Sequence, residues 1–151
     1  MMLKTKILVV DDDVIFIESL KDLLEIEECD THVAYSGYEA LEKIKKEEFD
    51  IVLMDIKMPG MNGVEAFKRI KKINPRLAVI LMTGFSVEDL MKEALKEGAF
   101  AVLDKPLDIP KLLGRLEAAR STGAGSRWGM QALNWFRQLR RSIKSRELNH
   151  E

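Results

Sequence analysis

A single cysteine, Cys29, rules out an internal disulfide and a cysteine-built metal cluster. No apolar run approaches the ~18 residues needed to cross a bilayer as a helix. The opening stretch, MMLKTKILVVDDD, passes straight into acid, and its apolar part is too short and wrongly flanked for a secretory signal. No low-complexity tract or short internal repeat is present, and no P-loop, GxSxG or HExxH pattern occurs. The expectation from these absences is a reduced, cytoplasmic protein.

What is present is ordinary in bulk and uneven in distribution. With 46% hydrophobic and 32% charged residues, the 151-residue chain has the composition of a globular domain with a sizeable core and a short appendage. The net charge of -1 conceals two halves of opposite sign. Residues 1–120 carry 18 Lys+Arg against 23 Asp+Glu, whereas residues 121–151 carry 6 against 2.

Five short apolar runs punctuate residues 1–120: KILVV (6–10), THVAY (31–35), DIVLMD (50–55), LAVILMT (77–83) and AFAVLD (99–104). The first, third and fourth are nearly continuous, as in strands covered on both faces. The second alternates, as at a sheet edge. Between them, apolar residues recur at helical spacing: Ile17, Leu20, Leu23 and Leu24; Ala40, Leu41 and Ile44; Val64, Phe67, Ile70 and Ile73; Leu90, Met91, Ala94 and Leu95; Leu112, Leu113 and Leu116. Ser36 with Glu39, Asn62 with Glu65 and Ser86 with Asp89 have the spacing of helix N-caps. Gly98 sits where a helix should stop, and Asp108 where the last should start. Five β-α alternations predict a doubly wound α/β fold with a parallel sheet. Such folds bind ligands beyond the carboxyl ends of their strands.

The division expected along the chain is a domain over 1–120, a flexible linker over 121–126 (STGAGS) and a tail over 127–151. In the tail, Ala132, Leu133, Phe136, Leu139 and Ile143 share a helical stripe, and Arg137, Arg140, Arg141 and Lys144 lie elsewhere. That pattern is a basic amphipathic helix. Its expected occupants are its own domain or a second copy of the chain, giving a homodimer. An output partner, an anionic membrane and a nucleic acid are the competing ones, and a third reading takes the segment as a remnant of a longer protein.

The acids carry the chemistry. Asp11, Asp12 and Asp13 end the first strand, and Asp55 ends the third. Any one of these alone is most simply a turn or helix cap. On neighbouring strands they converge, and two carboxylates ~4 Å apart repel by roughly 4 kcal/mol at an effective dielectric of ~20. A hard divalent cation relieves such a cluster, and Mg²⁺ takes few carboxylates plus phosphate oxygens. Thr83 ends the fourth strand and Lys105 follows the fifth. Acids, a hydroxyl and a mobile ammonium on one rim suit phosphoryl transfer, with an aspartate as nucleophile. His32 is expected to be a solvated strand residue, not a carrier of phosphate.

The motifs ILVVDDD, DIVLMDIKMPGMNG, VILMTG and GAFAVLDKP, spread over about residues 4–120, resemble the receiver domain of two-component response regulators. The resemblance implies a flavodoxin-like five-stranded parallel sheet of order 2-1-3-4-5. It implies that Asp55 is the phosphoacceptor, served by a histidine kinase or a histidine phosphotransfer protein. Mg²⁺ (or Mn²⁺) would be held by Asp12, Asp55 and the backbone carbonyl of Lys57, with Asp11 acting through water. Thr83 and Lys105 would contact the phosphoryl group, Lys105–Pro106 would be a cis peptide, and Gly84 would keep the approach open. Pro59, Gly60 and Gly63 would shape the loop around the metal. The protein would be a regulatory phosphoacceptor, not an enzyme of multiple turnover. A phosphorelay intermediate and an aspartyl-nucleophile phosphohydrolase are the alternatives, and Lys57 stands where such hydrolases generally place a second acid. The pattern departs from the family at Val102, where the family usually carries Tyr or Phe. Phe100 is expected on the same strand face as Val102, and switching is expected to run through Thr83 and the backbone.

Overall fold

The computed structural model describes residues 4–84, 88–123 and 141. Strands β1 (Lys6–Val10), β2 (Asp30–Ala34), β3 (Ile51–Asp55), β4 (Ala78–Thr83) and β5 (Ala101–Asp104) alternate with helices α1 (Val14–Ile26), α2 (Gly37–Lys46), α3 (Gly63–Ile73), α4 (Glu88–Lys96) and α5 (Ile109–Gly123). The sheet is parallel throughout and ordered β2-β1-β3-β4-β5. This is the expected doubly wound order, and it reverses beside β1 and β3.

The continuous runs become the central strands because both of their faces are covered. Leu8, Val10, Val52, Met54, Val79 and Leu81 pack on one side, with Leu41, Ile44, Val64, Phe67 and Ile70 from α2 and α3. Ile7, Val9, Ile51, Leu53, Ile80 and Met82 pack on the other, with Ile17, Leu20 and Leu24 of α1 and Leu112, Leu113 and Leu116 of α5. Period-2 alternation along each strand therefore feeds two separate cores. The alternating second run is the edge strand β2.

Local signals start the helices where expected. The Ser36 hydroxyl accepts the Glu39 N–H, and Asn62 accepts the Glu65 N–H. Asp108 accepts the Lys111 N–H at the start of α5. The Ser86 cap lies outside the described residues. Gly98 follows α4 with φ of +97°, a conformation that favours glycine.

Four expectations need correcting. Ile73 and Leu95 are 41% and 51% exposed. Ile73 is the last residue of α3, and α4 buries only Ala94 fully, so helical spacing overstates both faces. Phe100 and Val102 do not share a face: Phe100 packs with the α1–α5 core and Val102 with the other. Phe100 precedes β5, so the strand alternation does not reach it. His32 is half-buried, set edge-on to Phe49 and 3.1 Å from the Asp30 carboxylate, so it is not simply solvated. Helix α5 runs to Gly123, three residues beyond the expected boundary at Arg120. The remainder of the linker and the tail, Arg141 excepted, lie outside the described residues. Among the described residues, no helix is long and apolar enough to cross a membrane.

Candidate functional site

The carboxyl ends of β1, β3, β4 and β5 make one rim. Val10 pairs with Met54, so one further residue brings Asp11 beside Asp55. Asp55 pairs with Met82, which sets Thr83 at the next step on β4. The Lys105 N–H donates to the Thr83 carbonyl at 2.8 Å, which ties the chain after β5 to the same rim. Asp11, Asp12, Asp55, Thr83 and Lys105 are therefore gathered by strand register, from segments up to 94 positions apart.

Asp11, Asp12 and Asp55 each offer a carboxylate oxygen, and these oxygens lie within 4.8 Å of one another. Asp11 is 1% exposed and Asp55 7%, whereas Asp12 faces solvent. The Lys105 ammonium sits 2.5 Å from Asp11 Oδ2 and 3.7 Å from Asp55 Oδ2. One ammonium among three carboxylates leaves an excess of negative charge. Burial, and next the Asp11 charge, push the Asp55 carboxyl up to about 6, against the opposing pull of Lys105 and the Lys57 backbone N–H. The donor set is all oxygen, hard and crowded, which fits Mg²⁺ or Mn²⁺ rather than a thiophilic ion.

The loop after Asp55 is built on close backbone approach. The Gly63 N–H donates to the Ile56 carbonyl at 2.7 Å. A Cβ at Gly63 would lie 2.2 Å from the Asp55 carbonyl oxygen and 2.8 Å from Ile56 Cα. Gly60 takes φ of +76°. Both glycines are thus required by geometry. Gly84 differs: a Cβ there would meet Lys105 Cβ and Cδ at 3.8 and 3.9 Å, ordinary contact, so space alone does not demand glycine. The Lys105–Pro106 peptide is cis, as expected.

Of three contacts behind the acid cluster, one is a helix cap and the other two escape sequence reasoning. The Asp13 N–H donates to Asp11 Oδ1, and the Asp13 carboxylate accepts the Phe16 N–H as N-cap of α1. The Phe16 ring then lies under Lys105, with Nζ 4.1 Å from its centroid. A capping role for an Asp run is legible in sequence. A phenylalanine in the first turns of an amphipathic helix looks only like core. Val102, at the departing position, is half-buried against the α2–α4 side, and Thr83 is buried.

Comparison with known proteins bears on the family and the fold. The family model described as the response regulator receiver domain matches residues 7–117. The chain is 43% identical over 125 residues to the transcriptional regulatory protein ZraR of Salmonella typhimurium, a match that takes in 80% of the chain and 28% of ZraR. It therefore spans little more than a quarter of that relative. It is 38% identical over 111 residues to sporulation initiation phosphotransferase F of Bacillus subtilis, covering 74% of the chain and 90% of that protein. Among solved structures, a receiver domain protein from Clostridium thermocellum superposes with a TM-score of 0.75 at 37% identity, covering 79% of the chain and 95% of that structure.

Proposed function

Because the chain belongs to the response regulator receiver domain family, we propose that Asp55 is its phosphoacceptor and that Asp11, Asp12, Thr83 and Lys105 serve that one carboxylate. The observation that carries this reading is the convergence of three carboxylates and one ammonium on a single rim of the sheet.

Receiver function itself follows from the family: the protein is a regulatory phosphoacceptor of a two-component system. The finer assignment is a displacement at phosphorus. An Asp55 oxygen attacks the phosphorus of a phosphohistidine on a histidine kinase or a histidine phosphotransfer protein. A carboxyl O–P bond forms as the P–N bond breaks, and the imidazole leaves and takes up a proton. The sheet holds Asp55 rigidly, and the Lys57 backbone N–H steadies its carboxylate. Lys105, on a flexible stem, offsets charge on the phosphoryl oxygens. The Thr83 hydroxyl offers them a hydrogen bond. Asp11, Asp12, Asp55 and the Lys57 carbonyl would hold Mg²⁺ or Mn²⁺, which supplies positive charge against both the carboxylates and the transferring group.

The output is a changed protein–protein surface rather than turnover. Lys57 stands two residues after Asp55, where a phosphohydrolase of this kind would want an acid, which supports a stable adduct. The test is incubation with acetyl phosphate and Mg²⁺. The expected result is one phosphoryl mass per chain, absent in Asp55→Asn. Continuous release of phosphate from phosphomonoesters without an adduct would overturn the proposal.

A further inference from the structure

Lys105 is more tightly framed than a surface-facing lysine after a strand would ordinarily be. Its ammonium contacts Asp11 Oδ2, approaches Asp55 Oδ2 and stands over the face of Phe16. Phe16 is itself placed by the acid loop. Asp11 Oδ1 accepts the Asp13 N–H at 3.0 Å, and Asp13 Oδ1 accepts the Phe16 N–H at 3.1 Å. Lys105, Asp11, Asp13 and Phe16 thus close a ring of contacts, in which the cap of α1 and the ammonium of the site are held by the same carboxylate. Below, Phe16 packs against the core between the sheet, α1 and α5. The ring therefore has a firm base and offers one face to the charge.

We propose that Phe16 is a positioning residue for Lys105, its ring face holding the ammonium over the acid cluster where an incoming phosphoryl group needs it. The proposal rests on the reading of Asp55 as phosphoacceptor. A lysine stem is flexible, and freezing it costs rotamer freedom. The aromatic face attracts the cation through its quadrupole and screens the side of Lys105 turned away from the acids. With the ring in place, the ammonium is confined to the arc between Asp11 and Asp55. Without it, Lys105 gains freedom to swing out to solvent, and the site loses preorganised positive charge.

The ring's charge distribution can be altered without altering its shape. Mono-, di- and trifluorinated phenylalanine at position 16 of the full chain progressively weaken the attraction while keeping the packing. The phosphorylation rate with acetyl phosphate and Mg²⁺ should fall stepwise along the series, with Phe16→Leu about three- to tenfold slower than wild type and Phe16→Trp within about twofold. In parallel, NMR of the unphosphorylated protein should show the Lys105 Cε protons shifted upfield by the ring, and returned towards random-coil positions in Phe16→Leu. A flat fluorination series, or Lys105 resonances indifferent to Phe16→Leu, would overturn the proposal. The NMR arm needs no phosphoryl donor. A wild type that forms no adduct therefore overturns the phosphoacceptor reading, while the Lys105 resonances still decide whether Phe16 positions the ammonium.

Discussion

Asp55 carries a cost that only its charge explains. Its carboxyl is pushed from an ordinary value of 3.8 to about 6 by burial and by Asp11. Below pH 4 the group is protonated in both folded and unfolded chains and contributes nothing. As pH rises from about 4 to 6, the unfolded chain releases the proton and the folded one keeps it, so Asp55 lowers stability. The penalty is complete above pH 6. In metal-free buffer at pH 7.5, Asp55→Asn should therefore be more stable than wild type by on the order of 2 kcal/mol, measured by urea unfolding. At pH 4 the two should nearly coincide. Equal stabilities at pH 7.5 would mean that the carboxylate is not crowded. Cys29 is displaced too: burial chiefly pushes its thiol up to about 12, which makes it an inert core residue at neutral pH.

At the scale of elements, the junction between β3 and α3 is the most constrained segment near the site. Alanine at Gly63 would drive a Cβ into the Asp55 and Ile56 backbone, where no flexible side chain can yield. Gly63→Ala should cost about 3 kcal/mol in unfolding free energy. It should also slow phosphorylation, because the displaced backbone belongs to the phosphoacceptor itself. Alanine at Gly84 meets only ordinary contacts with Lys105, and stability should change by less than about 1 kcal/mol. Most elements were legible in sequence because burial on both faces writes a continuous apolar run. The runs 6–10 and 77–83 foretell β1 and β4 almost to the residue. Ile73 and Leu95 were misplaced because periodicity marks a face without saying how far the neighbouring layer extends. Phe100 was misplaced because alternation holds only inside a strand. The acids, Thr83 and Lys105 were legible as a set through motif spacing. Phe16 was not, since its role depends on a lysine 89 positions away.

For the molecule as a whole, the acid rim links folding to cation binding. An ion that binds only the folded chain stabilises it by RT ln(1 + [L]/Kd), about 2.7 kcal/mol at a hundredfold excess over Kd. Mg²⁺ should raise the urea midpoint of the wild type, and EDTA should reverse the shift. The effect should be lost in the double variant Asp12→Asn, Asp55→Asn. A cation-independent midpoint in the wild type would contradict the assignment of the site.

The most direct test is to ask which side chain holds the phosphoryl group. After reaction with acetyl phosphate and Mg²⁺, borohydride reduces an acyl phosphate to an alcohol and so marks its position permanently. The account predicts that peptide mass spectrometry finds one reduced residue, Asp55, and none in Asp55→Asn. Reduction at Asp11 or Asp12, or phosphate retained on His32, would contradict it.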